Sequence, residues 1–226
     1  MDDSHGVIDE LQRRVRVAAR ALGRAGMVHA YGHCSARLGD DSLLVCAPRP
    51  MGLITPGEAG TTCPLTGELP AGVLGEVRIH QAIYESRPDV GGICRVQPFH
   101  VMALSSGHLT PVARHGFGSY FGGKVPLYDR PTLVRDRAAA ELVAATLGGA
   151  SAVVLRGNGA VVVGSTIEQA VVLTWFLEDA ARVELAVRSA GIDGQLSREE
   201  IEGRATWSGG IAERMWEYLT SGDPEA

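Results

Sequence analysis

Residues 76–90 read EVRIHQAIYESRPDV. Glu76 and His80 stand four apart, a spacing that puts both side chains on one face of a helix. Val77, Ile79, Ile83 and Tyr84 recur at helical intervals, and Pro88 cannot continue a helix, so the pattern predicts a helix from Glu76 to about Arg87. The chain then turns apolar over 90–96, VGGICRV, as a buried strand does, and Pro98 can open a short helix to Ser106.

Upstream, an amphipathic helix is expected from a Ser4 cap to about Ala25, with Val7, Ile8, Leu11, Val15 and Leu22 near one face. Strand-like runs follow at 34–38 and 42–47, separated by a hairpin-like Gly39-Asp40-Asp41. Residues 48–72 are rich in proline and glycine and read as irregular loop with room for one short strand. Downstream, Pro131 precedes a helix carrying Leu133, Val134, Ala138, Leu142, Val143 and Leu147, stopped by Gly148-Gly149. Runs 151–155 and 160–163 look like buried strands joined by Arg156-Gly157-Asn158-Gly159. Ser165 and Glu168 have capping-box spacing and launch the longest helix, to about Ala190. The tail, 192–226, is polar, with one weak helix carrying Trp207, Met215, Trp216 and Tyr218. Some strand connections are too short for a uniform βαβ repeat. The expected fold is therefore a three-layer α/β/α domain with a central, mostly antiparallel sheet, spanning 1–226.

At 226 residues the chain fits one domain, and its 45% hydrophobic content with mean hydropathy +0.06 is enough for a core. Lys and Arg total 21 against 26 Asp and Glu, a net charge of −5 with no basic block, so nucleic acid is not an expected partner. No apolar run approaches the ~18 residues of a membrane span. The start, MDDSHGVIDELQRR, has no apolar signal core. Cys34, Cys46, Cys63 and Cys94 show no CxxC spacing, as expected of reduced thiols in a cytoplasm.

Several segments together resemble the class II aldolase/adducin family: GHCSARL (32–38), ITPGE (54–58), EVRIHQAIYESRPDV (76–90), CRVQP (94–98) and LRGNGAVVVG (155–164). The resemblance runs in order over about residues 8–190. In enzymes of that family a divalent metal, usually zinc, is held by three histidines, and a glutamate moves the substrate proton. The glutamate position is Glu76. The three histidine positions are Arg95, Gln97 and Asn158. Arginine is always protonated, and the two amides are poor zinc ligands, so no three-histidine site is expected here and no cofactor is assigned. The family's phosphate-gripping serines are replaced by Leu74 and Gly75, which argues against a sugar-phosphate aldolase.

The resemblance thus implies a metal-independent lyase acting on an anionic small molecule by retro-aldol cleavage, decarboxylation, dehydration or cyclisation, in specialised metabolism or biosynthesis. Glu76 is the candidate acid/base and Arg95 the candidate cation for the substrate anion, with His100 as a further catalytic candidate. His33, Gln97, Asn158 and Tyr218 are candidate substrate-binding residues. A homotetramer with sites between subunits is implied, the tail folding over a neighbour. Two alternatives stand beside this: a non-catalytic binding or assembly module like the adducin head, and a metal enzyme with ligands relocated to His33, His80, His100 or Glu76.

Overall fold

The computed structural model describes residues 3–226, with side chains from residue 6 onward; the side chains of Ser4, the expected cap, and of His5 lie outside what is described. A seven-stranded sheet forms the middle layer: β1 (His33–Leu38), β2 (Ser42–Val45), β3 (Thr61–Pro64), β4 (Gly92–Val96), β5 (Leu127–Tyr128), β6 (Ala152–Leu155) and β7 (Gly159–Gly164). Their order is β3-β2-β1-β4-β7-β6-β5. Every pairing is antiparallel except β5 with β6. One face is covered by helices α1 (Asp3–Arg24), α3 (Phe99–Ser106) and α5 (Ile167–Ser189), the other by α2 (Arg78–Ser86) and α4 (Arg137–Leu147). Short helices α6 (Arg198–Arg204) and α7 (Ile211–Thr220) complete the chain.

Strand alternation builds two cores, one per face. Cys34, Ala36, Cys94, Val96, Ala160 and Val162 point toward α1 and α5. Leu43, Val45, Ile93, Val161 and Val163 point toward α2 and α4. Arg95 lies between Cys94 and Val96, so alternation turns it to the α2 side, and the register sets His33 directly across from it on β1.

Three expectations shift in detail. Glu76 sits in a 3-10 turn, Gly75–Val77, and the α-helix begins only at Arg78. The helix after Pro131 starts later than expected: Asp136 caps it by accepting from the Ala139 N–H at 2.8 Å, leaving Leu133 and Val134 in the preceding loop. The α5 cap is Thr166, which accepts from the Gln169 N–H, while Gln169 reaches back to Ser165. The cap is therefore Thr166 rather than Ser165, and because the Gln169 side chain accepts from the Ser165 N–H instead of the Thr166 N–H, the bonds do not close into a reciprocal box. Two adjacent hydroxyl residues followed by Glu-Gln satisfy the same pattern in either register, and packing of Ile167 into the core selects one.

In the tail, two helices form where one was expected, and Trp207 lies between them. Trp207, Ile211, Met215 and Trp216 pack on the core shared with α1 and α5. The last turn is tied to α1 through Arg20, which reaches Asp223 at 2.7 Å and Glu225 at 2.8 Å, and through Arg16 and Arg24. Among the described residues no helix is long and apolar enough to cross a membrane.

Candidate active site

The ends of β1, β4 and β7 converge on one cavity of about 590 Å³. Its wall includes His33 from β1, Glu76 from the 3-10 turn, Arg95 and Gln97 from the end of β4, and Asn158 from the β6–β7 turn. That turn is held tightly against β4. Gly159 has φ +88°, and a Cβ there would stand 2.0 Å from the carbonyl oxygen of Val96, so only glycine brings Asn158 this close to Gln97. On the other side Gly32 has φ +125°, and a Cβ there would stand 3.0 Å from the Arg95 carbonyl oxygen.

Arg95 dominates the floor. It is 1% exposed, and its Nη2 lies 3.3 Å from Glu76 Oε1. Its Nε and Nη1 are buried and have no partner. Burial lowers the guanidinium's pKa and Glu76 only partly offsets this; a guanidinium keeps its charge in proteins, so Arg95 is a cation with donors unspent. Glu76 is partly open to the cavity, and its Oε2 lies 4.0 Å from His33 Nε2. His33 Nδ1 is 2.9 Å from His80 Nε2, and His80 Nδ1 is 2.6 Å from Ser35 Oγ. The Glu76–His80 relation expected from helical spacing is thus made through His33.

Two predicted residues lie elsewhere. His100 is outside this cavity; its Nδ1 is 2.7 Å from Glu178 Oε1, and the same carboxylate accepts the N–H groups of His100 and Val101 at the start of α3. Free N–H groups in a first helical turn attract a carboxylate, which accounts for the placement. Tyr218 is 71% exposed on α7, away from the cavity of its own chain. Conversely, Arg49, Arg135, Tyr31 and Leu133 line the cavity without having been singled out. Arg49 pairs with Glu58 at 3.0 Å. All four sit on loops, where neither strand nor helix periodicity marks the inward side.

With this geometry in view, the comparisons with known proteins are direct. A sequence model described as the class II aldolase and adducin N-terminal domain matches residues 13–185. The chain belongs to the class II aldolase and adducin family. The chain is 30% identical over 198 residues to 3,4-dihydroxyphthalate decarboxylase of Arthrobacter keyseri, covering 78% of each protein. It is 29% identical over 193 residues to the same-named enzyme of Terrabacter sp. (strain DBF63), covering 77% of this chain and 80% of that one. In fold it superposes on L-fuculose 1-phosphate aldolase from Glaciozyma antarctica PI12 with a TM-score of 0.79 at 22% identity, over 97% of this chain and 92% of that one. An aldolase II superfamily protein from Pseudomonas syringae gives 0.75 at 24% identity, over 93% and 90%.

The class II aldolase resemblance implies a divalent metal, and the residues at its ligand positions do not fit one. Arg95 already places a positive charge at the floor, and Gln97 and Asn158 offer only neutral amides. His33 and His80 spend their facing nitrogens on each other. Among the described residues no group of three or more His, Cys, Asp and Glu side chains is placed to hold a metal ion.

Proposed function

We propose that this member of the class II aldolase family is a metal-independent lyase that decarboxylates an anionic phenolic acid, of the hydroxylated aromatic dicarboxylate class. One observation carries the reading: a buried guanidinium with two unspent nitrogens, beside a carboxylate, in a cavity of substrate size. A cation left this way in a dry site costs stability and is suited to receiving an anion. The names of the decarboxylase relatives support the substrate class, and Arg135 adds positive charge to the same cavity for a second anionic group.

The chemistry balances with this chain's own residues. The Glu76 carboxylate takes the proton of the hydroxyl next to the departing carboxylate. The resulting phenolate pushes electron density onto the ring carbon that bears that carboxylate, and Glu76 returns the proton there. The carbon–carbon bond then breaks, CO2 leaves, and the bonding pair restores the aromatic ring as a phenolate. Arg95 stabilises that oxyanion, which takes a proton from solvent on release. Gln97 and Asn158 orient the ring substituents through neutral hydrogen bonds.

The same reading includes a homotetramer with sites between subunits. It is supported by exposed large apolar and aromatic residues around the cavity, Tyr31 and Leu133, at the start of α3, Phe99, and on α7, Tyr218.

The test is turnover of 3,4-dihydroxyphthalate and related phenolic acids in D2O, followed by CO2 release and product mass. One deuterium is expected at the carbon that lost its carboxylate. Glu76→Gln is expected to lower kcat by about 10²–10⁴-fold without changing Tm. Full activity in Glu76→Gln, or no turnover of any phenolic acid, overturns the reading.

A further inference from the structure

The proposed chemistry leaves one set of buried side chains unused. Below the cavity a hydrogen-bonded chain runs from Tyr84 through Ser35 and His80 to His33, all four buried. The Tyr84 hydroxyl donates to the Ser35 carbonyl at 3.1 Å, and Ser35 Oγ lies 3.0 Å from the Tyr84 oxygen and 2.6 Å from His80 Nδ1. His80 Nε2 lies 2.9 Å from His33 Nδ1. The chain ends at His33 Nε2, which is buried, without a partner, and faces Glu76 Oε2.

Proton counting leaves two orders. In one, Ser35 donates to His80 Nδ1, His80 donates from Nε2 to His33 Nδ1, and His33 presents Nε2–H to Glu76. In the other, every proton points toward Tyr84, and His33 presents a bare lone pair to a carboxylate oxygen. A buried lone pair facing a carboxylate is repelled by it, whereas an N–H is attracted, so Glu76 selects the first order. Both rings are neutral: burial, reinforced by the neighbouring His80 ring and the Arg95 cation, holds His33 well below its ordinary range, and burial with Arg95 brings His80 to about 3.

We propose that Ser35 and His80 fix the tautomer of His33 so that its Nε2–H holds Oε2 of Glu76, while Arg95 holds Oε1. The present 4.0 Å separation becomes a hydrogen bond with a movement of about 1 Å. His33, His80 and Ser35 are then positioning residues, which aim the carboxylate at the substrate proton. The inference rests on Glu76 being the acid/base of the proposed reaction.

The experiment is a long-range ¹H–¹⁵N spectrum of the histidine side chains in the labelled protein, which separates Nδ1–H, Nε2–H and charged rings. His33→Asn and His80→Asn assign the signals. Nε2–H is expected for both rings at pH 7. Ser35→Ala is expected to move both toward Nδ1–H and to lower kcat about tenfold with KM held within about twofold, with recovery in Ser35→Thr, which keeps the hydroxyl. A wild-type His33 that is charged or protonated at Nδ1 overturns the proposal, as do tautomers and kcat unmoved by Ser35→Ala. Should Ser35→Ala not fold, the wild-type spectrum decides. Because the tautomers are read without substrate, failure to turn over phenolic acids overturns the proposed reaction and leaves this assignment to its own measurement.

Discussion

Arg95 is held in a position that its surroundings only partly satisfy. Its contact with Glu76 is a single 3.3 Å hydrogen bond, and two of its nitrogens are buried with no acceptor. Such a group belongs to binding rather than to stability, since unpaired buried donors cost about 1–3 kcal/mol each. Arg95→Met, similar in reach and apolar, is therefore expected to raise Tm by about 2–4 °C while reducing kcat/KM more than about a hundredfold. Calorimetry beside steady-state kinetics checks this, and a clear drop in Tm makes the arginine structural instead. Arg95, Gln97 and Asn158 entered through the family resemblance, as the residues at its three histidine positions, two at a strand end and one in a glycine-flanked turn. The bonds from His80 to His33 and Ser35 were not legible in the sequence, because they join residues 47 and 45 positions apart across two layers, and no local spacing records them.

At the scale of elements, the joint between α1 and the turn after α7 is held by a cluster of ion pairs. Arg20 and Asp223 are both buried and bonded through two nitrogens, with Arg24 on the same carboxylate. Burial pushes the Asp223 carboxyl up, but the bonds from Arg20 and Arg24 outweigh it and leave it well below the ordinary carboxylate range. Arg16, against some burial, and then Arg20 hold Glu225 down at about 2. Groups lowered in this way stabilise the fold above their ordinary pKa values, and that contribution is lost as pH falls from about 4.5 toward 2. Acid unfolding followed by tryptophan fluorescence is expected to report this loss through Trp216. Asp223→Asn is expected to lower stability at pH 7 by about 3–5 kcal/mol and to flatten the acid limb. An unchanged acid limb assigns the acid sensitivity to other carboxylates. Sequence patterning located α7 through Trp216 and Met215 but carried no sign of this joint, since its partners stand about two hundred residues apart.

For the whole molecule, the layered fold and its antiparallel sheet could be read in advance because apolar runs and turn residues alternate clearly. Loop walls of the cavity could not, and Arg49 and Arg135 entered only through the structure. Assembly is checked by light scattering, where a homotetramer appears at about four times the 23.9 kDa chain mass, and a monomer with full activity removes the shared site. The same preparation, examined for bound metal by mass spectrometry and for thermal shift with EDTA, is expected to show neither stoichiometric metal nor a change in Tm. A bound metal whose removal abolishes turnover overturns the metal-independent reading.

The close approach of Gly159 to Val96 has a consequence for how such a protein changes over time. The turn and the strand end are clamped backbone to backbone, so the positions of residues 97 and 158 are set without any contribution from their own side chains. Side chains displayed on such a frame can be exchanged while the display itself stays in register. A fold of this kind separates its inheritance of shape from its inheritance of chemistry, and can move between reaction types by replacing a few residues at fixed addresses.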